Sequence, residues 1–566
     1  MNKKFLTGLS CIVMIAVLMI AVLTITASFA KTVAPGEKPL PPDIMPVVFV
    51  QGTDYEMGKQ FGKQVAPYVK VRSDFWWAFA YKTIGTRDKI LRELKAYEYF
   101  IKKDAPELID FMKGIAEGAT AAGYPVSYTD VVLINTAKSL KPIPPEGGAY
   151  PSVSGSDIEG CGHFHAWGKA TKGGKLICGD NRDEPPNTPQ VCLIAFPKTG
   201  NAFLTTTDAG QVACHPIMNN KGVFIGGSSG PGSRPVDKQY GIPRPCALAH
   251  MGRFSNNAIE AKDWAVAHQC VWRYTINFSM ADVHGNAFVV EHSPAIKGVR
   301  KPGDFGEVDF IFATNNYLLE KMRVTGDVYR HTSEYRNAQL FDLLRNFQGK
   351  IDVEFFKMLS RNGEAHPVSS LKNVWKAGKT YMSNEWTARV VVATPDNGNN
   401  GVAHICTGHP SRKTLANLLI DPTGTFYDMT LAANPLKVTE TAAEAADWAL
   451  TMVWPKLMKL NYGDAAYVPV MKLVVKAKEK YYKGLNILDT AVLASYTGKG
   501  EEALYAYSKA ATYFAKSQAL ARQAYEALVP PATTPEELGL ERPWPFIRWE
   551  RPPHSTEWKQ VTQPAN

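Results

Sequence analysis

The sequence predicts an α+β fold: mostly antiparallel strands, with helices gathered at separate points along the chain. Three observations predict it. Residues 47–160 carry helical apolar spacing, residues 161–435 are dominated by short apolar runs between turn residues, and an Ala-, Lys-, Tyr- and Leu-rich stretch over 436–530 returns to helical spacing. At 566 residues, 45% hydrophobic and 20% charged, the chain is globular rather than disordered, with enough length for roughly two to four ordinary domains.

From the N-terminus, MNKK, an apolar run from Leu9 to about Thr26 and ASFA before Lys31 predict a secretory signal over 1–30, and with it export to a periplasm or the exterior. The run is also long enough for the alternative of an uncleaved membrane anchor. Later stretches are not apolar enough to span a bilayer. Residues 31–46, KTVAPGEKPLPPDIMP, predict an extended Pro-rich linker. From Thr53, an N-cap, GKQFGKQVAPYVKVRSDFWWAFAYKTI predicts a helix, as do DKILRELKAYEYFIKK, APELIDFMKGIAEGATAAG and YTDVVLINTAK. A Pro/Gly/Ser-rich loop over 141–156 ends this segment.

Strands come next as KLICGD, QVCLIAFP, NAFLTTTD and GVFIGGSS, helices as CALAHMGRF and NAIEAKDWAVAHQC, and further strands as INFSMADV, NAFVVEH, DFIFATN, ARVVVAT and GVAHICT. Beyond 436, three helical stretches include an aromatic stripe of Tyr505, Tyr507 and Tyr513, which reads as packing. The tail, 531–566, is Pro- and Trp-rich and reads as irregular.

The chemistry centres on Gly160-Cys161. A Gly before Cys leaves the carbonyl unhindered and the backbone free to adopt strained conformations, so the thiol of Cys161 can attack the preceding peptide. Hydrolysis of the resulting thioester makes Cys161 a new N-terminus. Its α-amine, titrating near about 7.7–8.0, can accept the thiol proton. The alternative for an isolated Gly-Cys pair is a buried structural cysteine. The residues after the pair read as a hairpin: GHFHAW, a turn at Gly173-Gly174, then KLICGDNRD. It brings Asp180, Asn181, Arg182 and Asp183 towards the cysteine, with Asp183 placed to orient the new amine.

In blocks this chain resembles the penicillin acyltransferase-like group of N-terminal nucleophile hydrolases, whose relatives include bile salt hydrolases and acid ceramidase. QGTDYEMGKQFGKQVAPYV is similar to the family's opening G-x-x-Y-x-x-G-x-x-x-G helix, GCGHFHAWG to its nucleophile block and GDNRD to its G-x-N-x-D. TTTDAGQVACHPIMNNKGVFIGGSS, FIFATNNYL and WTARVVVATPDNGNNGVAHICTGHP resemble later blocks, in the family's order from about residue 47 to 410. The resemblance implies a four-layer αββα sandwich and an enzyme that cleaves or transfers the acyl group of a small-molecule amide, without a cofactor. Cys161 is then nucleophile and autoprocessing residue, Asp183 the Asp of Asn-x-Asp, and Asn315 an oxyanion donor. Cleavage splits one precursor into an α chain ending at Gly160 and a β chain starting at Cys161. Three departures stand out: Gly162 for Thr or Ser, Asn316 for His, and Asp180 where some relatives carry a catalytic Arg. Arg182 or Arg389 are the candidates to replace that cation.

Rival readings remain. His163-x-His165 puts two imidazoles on one strand face, a spacing used by metal-dependent amidohydrolases, with His215, His250 or Asp183 as further ligands. Consecutive strands speak against the barrel such enzymes use, and the favoured reading holds no metal. Gly226-Gly227-Ser228-Ser229-Gly230 satisfies G-x-S-x-G, but the Pro- and Gly-rich sequence after it forbids the helix of a nucleophile elbow, leaving a Gly/Ser loop lining the site. An exported binding protein on the same fold is the non-enzymatic alternative. The net charge of +10 includes Lys3 and Lys4 of the signal and is otherwise spread along the chain, so nucleic acid is not a partner. Of eight cysteines, seven remain once Cys11 leaves with the signal. An oxidising compartment lets six of those pair and leaves one free.

Overall fold

The structure, a computed structural model, describes residues 44–140, 161–184, 188–231, 239–272, 275–325, 331–361, 382, 387–408, 426–461, 463–528, 548–550 and 559–561. The signal, most of the linker, the 141–156 loop and Gly160 lie outside the described residues.

The chain is mixed α and β. It opens with β1 (Val47–Gly52), which enters a sheet directly, so the last linker residues are anchored rather than loose: Ile44 and Met45 are buried, and the Cys192 N–H donates to the Pro46 carbonyl at 2.9 Å. Thr53 then caps α1 (Asp54–Gln64) through a reciprocal box with Glu56. The helical run expected from Thr53 is divided at Val65. Pro67 at the start of α2 (Ala66–Ile84) has no N–H to continue the first helix. Next come α3 (Arg87–Asp104), α4 (Glu107–Ala121) and α5 (Tyr128–Thr136).

Helices α1 and α4 touch backbone to backbone. A Cβ on Gly58 would lie 2.0 Å from the Phe111 carbonyl oxygen and one on Gly62 2.1 Å from that of Ile115, while Gly114 and Gly118 meet Tyr55 and Lys59 in the same way. The G-x-x-x-G spacing of Gly58 and Gly62 is thus a requirement of close helix approach.

The strands form two main sheets. β2 (Gly162–Gly168), β3 (Gly174–Asp183), β4 (Gln190–Pro197), β5 (Phe203–Asp208), β6 (Ile217–Asn219) and β7 (Val223–Ser229) come first. A short pair, β8 (Ile242–Pro243) and β9 (Cys270–Val271), brackets α6 (Arg244–Phe254) and α7 (Ala258–Ala267). The helix expected to reach Cys270 therefore stops at Ala267. β10 (Ile276–Asp282), β11 (Ala287–His292), β12 (Lys297–Arg300) and β13 (Phe310–Ala313) lead to α8 (His331–Asn346) and α9 (Val353–Arg361), then β14 (Thr387–Thr394), β15 (Val402–Thr407) and β16 (Tyr427–Thr430). One sheet runs β1-β4-β5-β6-β7-β10-β11-β12, antiparallel except for the parallel β1–β4 edge; the other runs β13-β2-β3-β14-β15-β16. Gly226 to Ser229 belong to β7 and pair with β10, in line with the expected strand GVFIGGSS and not with the reading of Gly226 to Gly230 as a Gly/Ser loop.

Alternation along the strands sorts the core. Cys178, Ile311, Val391 and Ile405 of the six-stranded sheet share one apolar cluster with Phe49, Ile194, Leu204 and Phe224 of the eight-stranded sheet. The opposite face of the eight-stranded sheet packs on the helices α1 to α7, through residues such as Val48, Leu193 and Phe278 against Phe61, Ile115 and Leu248. The opposite face of the six-stranded sheet, with Phe164, Phe312 and Val390, packs on α8 and α9 through Phe341 and Phe356.

The last helices are long: α10 (Pro435–Leu457), α11 (Tyr467–Tyr496) and α12 (Gly500–Leu528). Ala442, Ala446, Ala510 and Phe514 join the cluster between the sheets, and Ser508 donates to the Val47 carbonyl at 2.9 Å, tying α12 to β1. Tyr507 is buried, and Tyr505 and Tyr513 lie beneath lysine ammonium groups, so the stripe packs within the protein. Within the tail expected to be irregular, Arg548–Glu550 and Lys559–Val561 pair as an antiparallel ribbon. Among the described residues no helix is long and apolar enough to cross a membrane.

Candidate functional site

Cys161 precedes β2 by one residue and is buried. The hairpin is in the register Gly162↔Asn181 and His163↔Asp180. His163 and His165 face the eight-stranded sheet, where His165 meets Phe224, while Phe164 faces α9 and its Phe356. Gly162 sits under Met382, whose Cε a Cβ would approach to 2.5 Å. A Thr or Ser there would have to push that side chain aside.

Arg336, on α8, reaches the cysteine. Its Nη1 donates to the Cys161 carbonyl oxygen at 2.8 Å, and its Nη2 donates to Asn315 Oδ1 at 2.9 Å and Ser333 Oγ at 3.0 Å. Asn315 in turn donates through Nδ2 to the Ser229 carbonyl at 2.8 Å. The Asn315 amide is therefore fixed at both ends, with Nδ2 on the β7 side. The loop carrying it is pinned as well: Ser228 Oγ and Asn277 Nδ2 both donate to the Thr314 carbonyl, at 2.6 and 2.8 Å, and Asn277 also reaches the Asn316 carbonyl at 3.2 Å. Sequence reasoning brought Cys161 and Asn315 together but missed Arg336. Its signal was Ser333-x-x-Arg336, a polar pair one turn apart on a helix with a buried apolar face.

On β3, Asp183 accepts from Thr387 Oγ1 at 2.7 Å, and Asn181 donates to the carbonyls of Ser360 and Met382 at 2.9 and 2.8 Å. Arg182 and Arg389, the candidates for a substrate-gripping cation, are instead committed within the protein. Arg182 bonds Glu184 Oε1 at 2.6 Å and Asp208 Oδ2 at 3.0 Å, and contacts Cys214. Arg389 bonds Gln190 Oε1 and the His215 carbonyl, with Asp208 at 3.6 Å. Arg72 also reaches Asp208, at 3.1 Å, and Lys138 pairs with Glu184. The correction has a simple cause: a fully buried guanidinium must be paired, and carboxylates distant in sequence supply the pairs.

These pairings set the charge states. Burial opposes the Arg182 cation, but Asp208, Cys214 and Glu184 hold its pKa well above the ordinary value. Burial would raise Glu184, yet Lys138 and Arg182 hold it well below the usual carboxylate range, and Asp208 is lowered in the same way by Arg182 and Arg72. Burial and the nearby Arg182 lower Arg389.

The histidines separate. His165 Nε2 is 2.6 Å from Ser279 Oγ, and burial pushes its pKa down to about 3. His163 Nδ1 instead lies 2.8 Å from Asp180 Oδ2, and His215 Nδ1 lies 3.0 Å from both oxygens of the same carboxylate. Burial lowers His215 well below the ordinary imidazole value; Asp180, which burial alone would raise, is held low by His215 and His163. Of the rival His163/His165 metal reading, His163 and His215 do come together, but with Asp180 in place of His165. His250 bonds Glu107 at 2.9 Å and Asp183 bonds Thr387, so neither joins.

All seven cysteines from Cys161 to Cys406 are buried, and none of them forms a disulfide. The six disulfide-forming cysteines that an oxidising compartment allows are free thiols here. Cys178 and Cys192 lie between the sheets, Cys246 and Cys270 under the helices of the larger sheet, and Cys406 under α8 and α9. Burial raises the thiol pKa of Cys178, Cys192, Cys246 and Cys270, which makes them inert packing residues.

No family model matches the chain. An uncharacterized protein of Archaeoglobus fulgidus is 26% identical over 345 residues, which is 55% of this chain and 57% of that protein, so the match spans little more than half of its length. Among solved structures, a mutant conjugated bile acid hydrolase from Clostridium perfringens aligns over 44% of this chain and 89% of its own, at 14% identity and a TM-score of 0.30. An N-acylethanolamine-hydrolyzing acid amidase ortholog from Caenorhabditis elegans aligns over 42% and 93%, at 15% identity and a TM-score of 0.29. Penicillin V acylase from Agrobacterium tumefaciens aligns over 44% and 83%, at 10% identity and a TM-score of 0.26.

Proposed function

We propose that this protein is an exported, self-processing amide hydrolase or acyltransferase with Cys161 as nucleophile, built on the four-layer αββα sandwich of the N-terminal nucleophile hydrolases. The observation that carries the reading is Arg336, which joins the main chain of Cys161 to the side chain of Asn315. Further support comes from the ordered sequence blocks around Gly160-Cys161, GDNRD and TNN.

For activation, Cys161 Sγ adds to the Gly160 carbonyl carbon, the peptide C–N bond breaks, and the acyl group moves from nitrogen to sulfur. Water then hydrolyses the thioester, leaving a Gly160 carboxylate and a free Cys161 α-amine. In turnover that amine takes the thiol proton, and the thiolate adds to the amide carbonyl of the substrate. Asn315 Nδ2–H donates to the developing oxyanion; a donor of this kind is worth roughly 2.7–4 kcal/mol. Collapse expels the amine with the proton, and water or a second amine takes the acyl group from sulfur. Asp183, anchored by Thr387, orients the α-amine. Arg182 and Arg389 hold the scaffold behind the site.

Intact-mass measurement of the purified protein beside a Cys161→Ala variant tests this reading. The wild type is expected as two fragments divided between Gly160 and Cys161, and the variant as one uncut chain without turnover. A wild type that stays whole, with amide hydrolysis surviving loss of the thiol, overturns it.

A further inference from the structure

We propose that His163, Asp180 and His215 bind a divalent cation of the zinc class, which fastens the two sheets together behind the Cys161 strand. The three side chains are fully buried and come from separate parts of the chain: His163 on β2, Asp180 opposite it on β3, and His215 from the connection between β5 and β6. The first two belong to the six-stranded sheet and the third to a loop joining two strands of the eight-stranded sheet, so a cation here bonds across the interface between them.

Their potential ligand atoms converge within 4.8 Å of one another, the Nδ1 atoms lying 2.8 and 3.0 Å from the carboxylate. Zinc bonds of about 2.0–2.1 Å set a tetrahedral edge of about 3.3 Å, so the two histidine–carboxylate edges need open by only about half an ångström or less. Two imidazoles and one carboxylate suit zinc and its neighbours rather than magnesium or calcium, which prefer oxygen alone. Three protein ligands leave a fourth position for solvent.

One feature argues that the cluster serves a ligand. Asp180 bonds the two imidazoles and makes no ion pair with an arginine or lysine among the described residues, although carboxylates nearby, Asp208 and Glu184, are each paired with several cations. A buried carboxylate is ordinarily paired or metal-bound. Opposite the cluster, β7 presents Gly226, where a Cβ would come within 2.6 Å of His163 Nδ1 and 3.1 Å of Asp180 Oδ2. The larger sheet thus approaches the ligand atoms without a side chain in the way.

The test is elemental analysis of the full chain expressed with added zinc, together with cobalt(II) titration of chelator-treated protein followed by visible absorption. The expected result is about one equivalent of zinc per chain, a tetrahedral cobalt spectrum, and at least about tenfold weaker retention in Asp180→Asn and His215→Gln, with His165→Gln unchanged. Wild type without zinc and without a cobalt spectrum overturns the proposal, as does His215→Gln that retains zinc like the wild type. Should a variant fail to fold, the wild-type titration alone decides. The same measurement on Cys161→Ala separates this site from the nucleophile: zinc held by an inactive, uncut chain supports the metal site whatever becomes of the hydrolase reading.

Discussion

Arg336 Nη1 lies 2.8 Å from the main-chain oxygen of Cys161 across 175 residues of sequence, and the same guanidinium grips the side-chain oxygen of Asn315. This contact orients the Asn315 amide so that Nδ2, and not Oδ1, is directed towards β7. Replacing Arg336 by Met takes this donor from three buried acceptors, the Cys161 carbonyl, Asn315 Oδ1 and Ser333 Oγ, at a cost of about 1–3 kcal/mol for each group left unsatisfied. The expected outcome is slowed cleavage at Gly160-Cys161 and turnover reduced by at least about tenfold, with Arg336→Lys recovering part of both, since an ammonium can reach one acceptor but not two. Fragment ratios by mass, measured over time after synthesis, check it.

Asp208 is the hub for three guanidinium groups, with Arg182 at 3.0 Å, Arg72 at 3.1 Å and Arg389 at 3.6 Å. Asp208→Asn keeps the shape and removes the charge, leaving buried cations short of a partner. Loss of one member of a buried ionic group costs about 3–5 kcal/mol. A fall of several degrees in the thermal midpoint is expected, and an unchanged midpoint would show that water reaches the cluster.

Stability should decline in mild acid. Burial pushes His292 down to about 4, whereas a free imidazole titrates near about 6.5. Between those values the unfolded chain binds one more proton than the folded one, so stability is complete above about pH 6.5 and falls as pH drops towards 4, by up to about 1.4 kcal/mol per unit for this group. Urea unfolding of wild type and His292→Asn at a series of pH values reads the slope. The variant is expected to lose about one proton of that dependence.

The crossing of α1 and α4 is a packing requirement that one methyl group tests. Gly62→Ala places its Cβ against the Ile115 carbonyl oxygen, a backbone atom that cannot rotate away, and the helices must separate. Overpacking of this kind costs about 1–3 kcal/mol. Gly500→Ala, which meets no atom within 4 Å, is the comparison and should leave the unfolding midpoint where it was.

Much of the fold was legible because its signals are local. The Gly173-Gly174 turn between two alternating runs announced the β2–β3 hairpin, Thr53 with Glu56 announced the start of α1, and apolar spacing announced α6, α7, the three last helices and most of the longer strands, but not α8, α9 or the short strands β6, β8, β9, β12 and β16. The failures share a cause. Gly226 to Ser229 read both as the end of the strand GVFIGGSS and as a Gly/Ser loop, and pairing with β10 decides for strand, with little room for a side chain at Gly226 beside His163. Seven cysteines left six able to pair, but each is buried as a free thiol in the protein interior. The helix-rich N-terminal segment also hides β1, because a short parallel edge strand is stabilised by its partner β4 rather than by its own sequence.

For the candidate site, the amino-acid order alone pointed to Gly160-Cys161 as the candidate nucleophile and to the hairpin that succeeds it, and the family resemblance singled out Asp180 as a departure. The tertiary structure decided what those residues touch. Asp180 meets His215 from the β5–β6 connection of the other sheet, Arg182 and Arg389 are drawn into the Asp208 network, and Arg336 arrives at Cys161 from a helix the hairpin does not contain. The physical reason is that backbone periodicity records which face a side chain occupies within its own element, whereas the partners of a buried charge or amide are fixed only when two sheets and their helices close around it.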